Sequence, residues 1–222
     1  TPAVKDCIES AGIPHTEVDL ILVDGKPVSF SRRLSGGERV AVYPVFESFD
    51  ISGTSEVREK PLRRLSFVLD CHLGKLARLL RILGLDVHYE RDFPDQRIAE
   101  ISSRTGRIVL TRDVGLLKRS EVQRGYWLRS QDPYRQMEEV LRRFDLCKNL
   151  SPFTRCPHCN GILEPVAKEE VQERVEAGTL QSCERFFLCR DCGRVYWRGA
   201  HFSRLEKVVR QARRVCDQQS GS

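Results

Sequence analysis

Two sets of side chains in this chain have the types and spacing to do chemistry. One is hard and acidic: Asp70, Asp95 and Asp113, with Asp92 a weaker fourth candidate. The other is soft: Cys156-Pro-His-Cys159 and Cys189-Arg-Asp-Cys192. Carboxylates gathered in a low dielectric repel one another and are costly unless a cation neutralises them. Their oxygens suit Mg²⁺ or Mn²⁺, which keep water positions open for a phosphate. Such a site can activate water and stabilise in-line displacement at phosphorus. An aspartate after a strand is also a common turn or helix cap, and Asp95 fits an N-cap equally well. The two C-x-x-C knuckles, each followed closely by a glycine (Gly161, Gly193), can close a tetrahedral Zn²⁺ site from four thiolates. A structural zinc there would replace the core that so short a segment cannot build. Cys183, His158 and His201 could substitute as ligands, but the paired knuckles leave them as bystanders.

The acidic set needs a sheet edge to converge on. Phe67, Val68 and Leu69 form a short apolar run that stops at Asp70, and Ile108, Val109 and Leu110 form another that stops at Thr111, Arg112 and Asp113. Between them Leu73, Leu76, Ala77 and Leu80 recur at the offsets of one buried helix face. Buried strands alternating with helices predict a parallel sheet, whose ligands gather beyond the carboxyl ends of the strands. DVHYE reads as the second strand, RDFPDQRIAEISSRTG as a helix from near Asp95 to Gly106, VGLLKRS as a short helix and GYWLR as the fourth strand. DPYRQMEEVLRRF gives a helix with Asp132 as cap and Pro133 at its start.

Basic residues surround this layout. Lys75, Arg78 and Arg81 form a stripe on the first helix; Lys75 and Arg78 fall within about two turns of Asp70, near enough to hold a phosphate backbone. Arg112 abuts Asp113. Arg81 reads as part of an ordinary solvated face. His72 carries no expected role, and Cys71 reads as a small buried residue.

The flanks differ in character. Residues 1–50 open with Thr1-Pro2 as N-cap and first helical position of AVKDCIESAG, followed by the strand VDLILVDGKPV with an Asp24-Gly25 turn and a closing strand, ERVAVYPVF. That order is similar to the second half of a ubiquitin-like β-grasp of the sulfur-carrier type. The opening hairpin of that family would precede the helix, so either the chain is truncated or the lobe's sheet is incomplete. Sulfur carriers end in a free Gly-Gly, whereas Gly36-Gly37 is internal, which argues against that chemistry. Residues 51–62 read as a polar linker, 63–148 as the parallel-sheet domain, and 151–216 as the ribbon with a last helix, SRLEKVVRQARRV. Val195-Tyr196-Trp197 could stack on RNA or anchor the ribbon by aromatic packing.

The chain has 222 residues and a net charge of +6, unevenly spread. Residues 1–59 carry 6 basic and 10 acidic side chains, residues 60–150 carry 19 and 12, and residues 151–222 carry 12 and 9. A basic surface around an acidic cluster suits a polyanion held over a cation. Nine cysteines, an odd number with two C-x-x-C pairs, favour metal ligation in a reducing, cytoplasmic compartment over a disulfide framework. Cys7, Cys147 and Cys216 carry no readable role. The sequence has no membrane-length apolar run and no signal-peptide pattern.

LDCHLGKLARLLRILGLDV, the RDFPD stretch and IVLTRDVGLLKR together resemble the PIN-like ribonuclease domain named after the C-terminus of the worm Mut-seven exonuclease. Members of that family carry a C-terminal zinc ribbon, and many bacterial ones an N-terminal ubiquitin-like lobe. The resemblance implies an α/β PIN-like domain that cuts RNA with Mg²⁺ or Mn²⁺ held by Asp70, Asp95 and Asp113. Lys75, Arg78 and Arg112 would position the RNA, structured RNA such as tRNA or rRNA among the candidates. Many PIN-like domains place a further Asp where this chain has Gly115. That departure favours the alternative of a non-catalytic RNA- or ribosome-binding module, and the acidic β-grasp lobe allows a third, a protein-binding adaptor.

Overall fold

The computed structural model describes residues 1–44, 65–199 and 202–220. In chain order the elements are α1 (Val4–Ser10), β1 (Val18–Val23), β2 (Lys26–Pro27), β3 (Val40–Pro44), β4 (Ser66–Leu69), α2 (Gly74–Ile82), β5 (Asp86–His88), α3 (Asp95–Thr105), β6 (Ile108–Thr111), α4 (Val114–Leu117), β7 (Gly125–Trp127), α5 (Pro133–Arg143), β8 (Leu163–Val166), α6 (Lys168–Val171), α7 (Ala177–Ser182), β9 (Phe186–Cys189), β10 (Val195–Trp197) and α8 (Phe202–Ser220). They divide into two compact units, one of residues 1–71 and 90–129, the other of 72–89 and 130–222. The linker expected at 51–62 lies outside the described residues, as does His201.

The first unit holds the N-terminal lobe and much of the parallel layer. In the lobe, β1 pairs antiparallel with β2 and β3. The β1–β2 turn is the expected Asp24-Gly25, both at positive φ (49° and 78°), the geometry that matches strand twist in a tight hairpin. Helix α1 starts later than the sequence implies: Ala3, not Thr1, is the N-cap, and its N–H donates to Asp6 Oδ2 at 3.2 Å. Val4 and Ile8 of α1 close on Val18, Ile21 and Val23 of β1.

In the parallel layer, β6 lies between β4 and β7, with Val68 opposite Val109 and Val109 opposite Gly125. Ile98, Ala99 and Ile101 of α3, at helical spacing, bury against Val68 and Val109 together with Leu116, Leu117 and Val122. Gly106 ends α3 in the left-handed conformation at φ 69°, which a side chain would resist. The lobe is fastened to this layer by polar groups. Glu17 accepts the Trp127 N–H of β7 at 2.7 Å and pairs with Arg129 at 3.0 Å. The His15 ring bridges Glu9 Oε1, at 2.6 Å, to the Val122 carbonyl, at 3.1 Å. A strand edge otherwise open to pairing is thereby partly occupied.

In the second unit, α2 packs on β5, α5 and α8. Asp132 caps α5 as the sequence implies, accepting the Tyr134 and Arg135 N–H groups at 3.1 and 3.0 Å, with Pro133 at the first turn. The ribbon is an antiparallel sheet ordered β10-β9-β8. Its small core of Val171, Val175 and Phe186 draws on the loop with α6 and α7, for which the sequence carries no periodic signal. Cys147 and Cys216, read as without a role, are joined in a disulfide across a sequence separation of 69. The expectation that the nine cysteines serve metal ligation is corrected at this pair. Closing so long a loop restricts the unfolded chain and stabilises the fold by about 4 kcal/mol in the chain-entropy treatment. Among the described residues no helix is long and apolar enough to cross a membrane.

Candidate active site and metal centre

Parallel pairing sends the ends of β4 and β6 to the same edge. Asp70, one residue past β4, is buried at 6 % exposure, and its N–H donates to the Leu110 carbonyl of β6 at 3.3 Å. Thr111, the last residue of β6, is fully buried. Its hydroxyl donates to Asp70 Oδ2 at 2.5 Å and accepts the Asp113 N–H at 2.9 Å. The Arg112 N–H also points to Asp70 Oδ2, at 3.4 Å. Asp70 and the Asp113 backbone are thus coupled through one hydroxyl. Sequence reasoning passed over Thr111, although a threonine closing an apolar strand before Arg-Asp is the available signal.

Asp113 is exposed and caps α4, its Oδ1 accepting the Gly115 N–H at 2.7 Å. A Cβ at Gly115 would come within 3.0 Å of that same oxygen, so a side chain there would press on the carboxylate. Asp95 is the first residue of α3, exposed, with Pro94 in the capping position. Burial pushes the Cys71 thiol above its ordinary range, and the charges of Asp70, Asp95 and Asp92 push it further. These carboxylates therefore share one field around Cys71. Arg112 is exposed beside Asp113, and its carbonyl accepts the Trp127 indole N–H at 3.2 Å. Lys75 and Arg78, in the second unit, are exposed on α2.

The cysteines are drawn together more tightly. The sulfurs of Cys156, Cys159, Cys189 and Cys192 all lie within 4.8 Å of one another, the one such group of three or more ligating side chains among the described residues. Asp70, Asp95 and Asp113 form no such group. Mg²⁺ retains several waters and needs only one or two direct carboxylates, so a spread set of hard oxygens suits an ion held partly through water. Four thiols at such separations suit Zn²⁺. The knuckles are held by backbone bonds from Cys156 N to the Gly161 carbonyl, at 2.7 Å, and from Gly193 N to the Cys189 carbonyl, at 2.8 Å. The Gly161 N–H also points to Cys159 Sγ at 3.4 Å. Burial raises the Cys156 thiol, but the Tyr196 hydroxyl, 3.0 Å from its sulfur, and nearby backbone N–H groups outweigh it and bring the thiol to about 7. Tyr196 therefore serves the cluster, while Trp197 packs on Phe186 with ring centroids 6.3 Å apart. Cys183 lies against the ribbon core, and His158 contributes its carbonyl instead of its ring.

That carbonyl meets the least expected residue of the unit. Arg81, assigned to a solvated face, is 3 % exposed. Its Nε and Nη2 donate to the Val87 carbonyl at 3.0 and 2.9 Å, and Nη1 donates to the His158 carbonyl of the first knuckle at 2.5 Å. Asn160 completes the seam, accepting the Val87 N–H at 2.9 Å and donating to Asp86 at 2.8 Å.

Fold and site together define an α/β protein with a parallel-sheet domain, a small antiparallel N-terminal lobe and a four-cysteine ribbon. Residues 65–209 match the Mut7-C RNAse domain, and residues 1–50 match the Mut7-C ubiquitin family. The chain belongs to the Mut7-C RNAse domain family, with a Mut7-C ubiquitin-like region before it. Neither a curated protein nor a solved structure matches it.

Proposed function

We propose that this protein is a metal-dependent ribonuclease whose acidic site comprises Asp70, Asp95 and Asp113. The observation that carries this reading is the Thr111 bridge: a buried carboxylate and the backbone of a second aspartate are tied together beyond the ends of adjacent parallel strands, in a chain matching an RNase family. Mg²⁺ or Mn²⁺ at these carboxylates would supply a Lewis acid for the phosphate and a water of lowered pKa. Thr111 fixes the Asp70 carboxylate, and the α4 cap fixes that of Asp113. Lys75, Arg78 and Arg112 take the phosphate backbone in this reading, and Zn²⁺ on the four cysteines has a structural part.

A second reading, RNA binding without turnover, draws on the same cap. A carboxylate engaged by the Gly115 N–H, with glycine where many PIN-like domains carry a further acid, can be structural alone. Asn caps helices as well as Asp does, so Asp113→Asn keeps the fold and removes the charge. Metal-dependent fragments of small RNA from the parent chain, absent with Asp113→Asn, support the nuclease. RNA bound but left intact by the parent chain in either metal supports the binding module.

A further inference from the structure

Two concavities run along α8, and neither belongs to the sites above. The first, of about 560 Å³, lies between α8 and α5 and is lined by Arg142, Lys207, Arg210 and Arg214. Its one carboxylate, Glu138, already accepts a hydrogen bond from Gln211 at 2.8 Å. The second, of about 390 Å³, brings Arg198 and Arg213 around Phe153 and Phe202, and Arg210 lines both. Arg210 pairs only loosely, at 3.9 Å, with Glu206, the one carboxylate that lines the second concavity. Lys207, Arg210 and Arg214 recur at offsets of three and four, one face of the helix, over about 10 Å.

The aromatic pair separates this from a merely solvated basic face. Phe153 sits at φ 64°, a conformation that bulky residues rarely adopt and that persists where surrounding structure imposes it. Its N–H is fixed to the Ile82 carbonyl at 2.9 Å. Its ring lies 4.8 Å from that of Phe202, tilted by 42°, and the Arg198 guanidinium is 5.1 Å from the Phe202 centroid. Both rings stay partly exposed at a basic concavity. Aromatic faces beside a cationic groove are what a single strand with unstacked bases requires. A carboxylate-rich protein segment would use the cations and leave the rings idle.

We propose that α8, Arg142 and the Phe153–Phe202 pair form a binding cleft for single-stranded RNA. Arg142, Lys207, Arg210 and Arg214 take successive phosphates, and the aromatic pair takes a base. The proposal rests on the ribonuclease reading for its choice of RNA and deepens it.

The test is fluorescence anisotropy with a labelled single-stranded oligoribonucleotide and the zinc-loaded full chain carrying Asp113→Asn, across a range of salt. Replacing Arg142, Lys207 and Arg214 together by Gln should weaken binding at physiological salt on the order of tenfold to a hundredfold and flatten the log–log salt slope by about 2. Phe202→Leu keeps an apolar side chain and should weaken binding about fivefold with the slope unchanged. Circular dichroism and zinc content like the parent's would confirm that both variants fold. Unchanged affinity and slope in the triple variant would overturn the proposal. So would polyglutamate displacing the RNA at equal charge while Phe202→Leu has no effect, which would assign the face to an acidic protein. Cleavage is scored separately with Asp113 restored. Weakened binding in variants of a chain that cuts nothing would uphold the cleft and defeat the nuclease reading.

Discussion

The cysteine cluster and the aspartate set span similar lengths of chain, residues 156–192 and 70–113, but are assembled in different ways. Each knuckle supplies two thiols within four residues, and backbone pairing of Leu163 with Cys189 aligns β8, which follows the first knuckle, with β9, which runs into the second. The aspartates come from the ends of three elements, and the Thr111 hydroxyl couples two of them. Four thiolates complete the coordination of Zn²⁺ and leave no position for a substrate. A looser set of carboxylates, with water filling the remaining positions, leaves room for a phosphate. Tightness suits holding a fold, and openness suits handling a ligand.

Removing zinc should have the largest effect, since binding at such sites is folding free energy of about 10–16 kcal/mol. A chelator, or Cys189→Ser, should abolish hydrogen-exchange protection of β8, β9 and β10 and leave β4 and β6 protected. Protection of the ribbon that survives chelation would break the contrast. Asp70→Asn comes next. It should slow RNA cleavage about a thousandfold, as expected for losing several kcal/mol of metal-assisted stabilisation, with RNA affinity nearly unchanged. Wild-type cleavage by this variant would falsify the acidic assignment.

Thr111→Val keeps the shape and deletes the bridge. Loss of a hydrogen bond to a carboxylate costs about 1.5–3 kcal/mol, so cleavage should drop roughly tenfold to a hundredfold and the Mn²⁺ requirement should rise. An unaltered metal titration would make the bridge purely structural. Gly115→Asp sets a second charge against Asp113. It should lower stability by about 1 kcal/mol without a cation, and added Mn²⁺ should recover it in a thermal melt. A melt indifferent to Mn²⁺ would place no cation there. The smallest effect is expected far from both sites. Glu17→Gln weakens the tie between the lobe and β7, by at most about 1 kcal/mol given the exposure of Arg129, and should raise exchange at the Trp127 N–H alone.

Features written in short stretches were legible in the sequence. Asp132-Pro133, Asp24-Gly25 and Gly106 each carry their conformational reason within one or two residues, and the knuckle spacing does the same for the cysteine cluster. The apolar runs ending at Asp70 and Thr111 marked the sheet edge. Partners distant in the chain were not legible. Arg81 has the spacing of an exposed stripe, and the carbonyls of Val87, Tyr89 and His158, distant in the pattern, draw it inside. Cys147 and Cys216 stand 69 residues apart with no motif to pair them. Thr111 looked like the end of a strand because its partners are a carboxylate 41 residues earlier and an N–H two residues later.

The Arg81 seam bears on how this chain can be taken apart. Gly84, at φ 86°, faces the Ser151 carbonyl so closely that a Cβ would lie 2.1 Å from it. The Ser151 and Phe153 N–H groups bond the carbonyls of Leu83 and Ile82 at 3.0 and 2.9 Å. The ribbon is therefore no detachable module. A truncation before residue 151 would strip a buried guanidinium of its His158 acceptor and leave the end of α2 without its lid. Fragments cloned at that boundary should be poorly soluble, and a ribbon borrowed from another protein would have to reproduce the seam before it could replace this one.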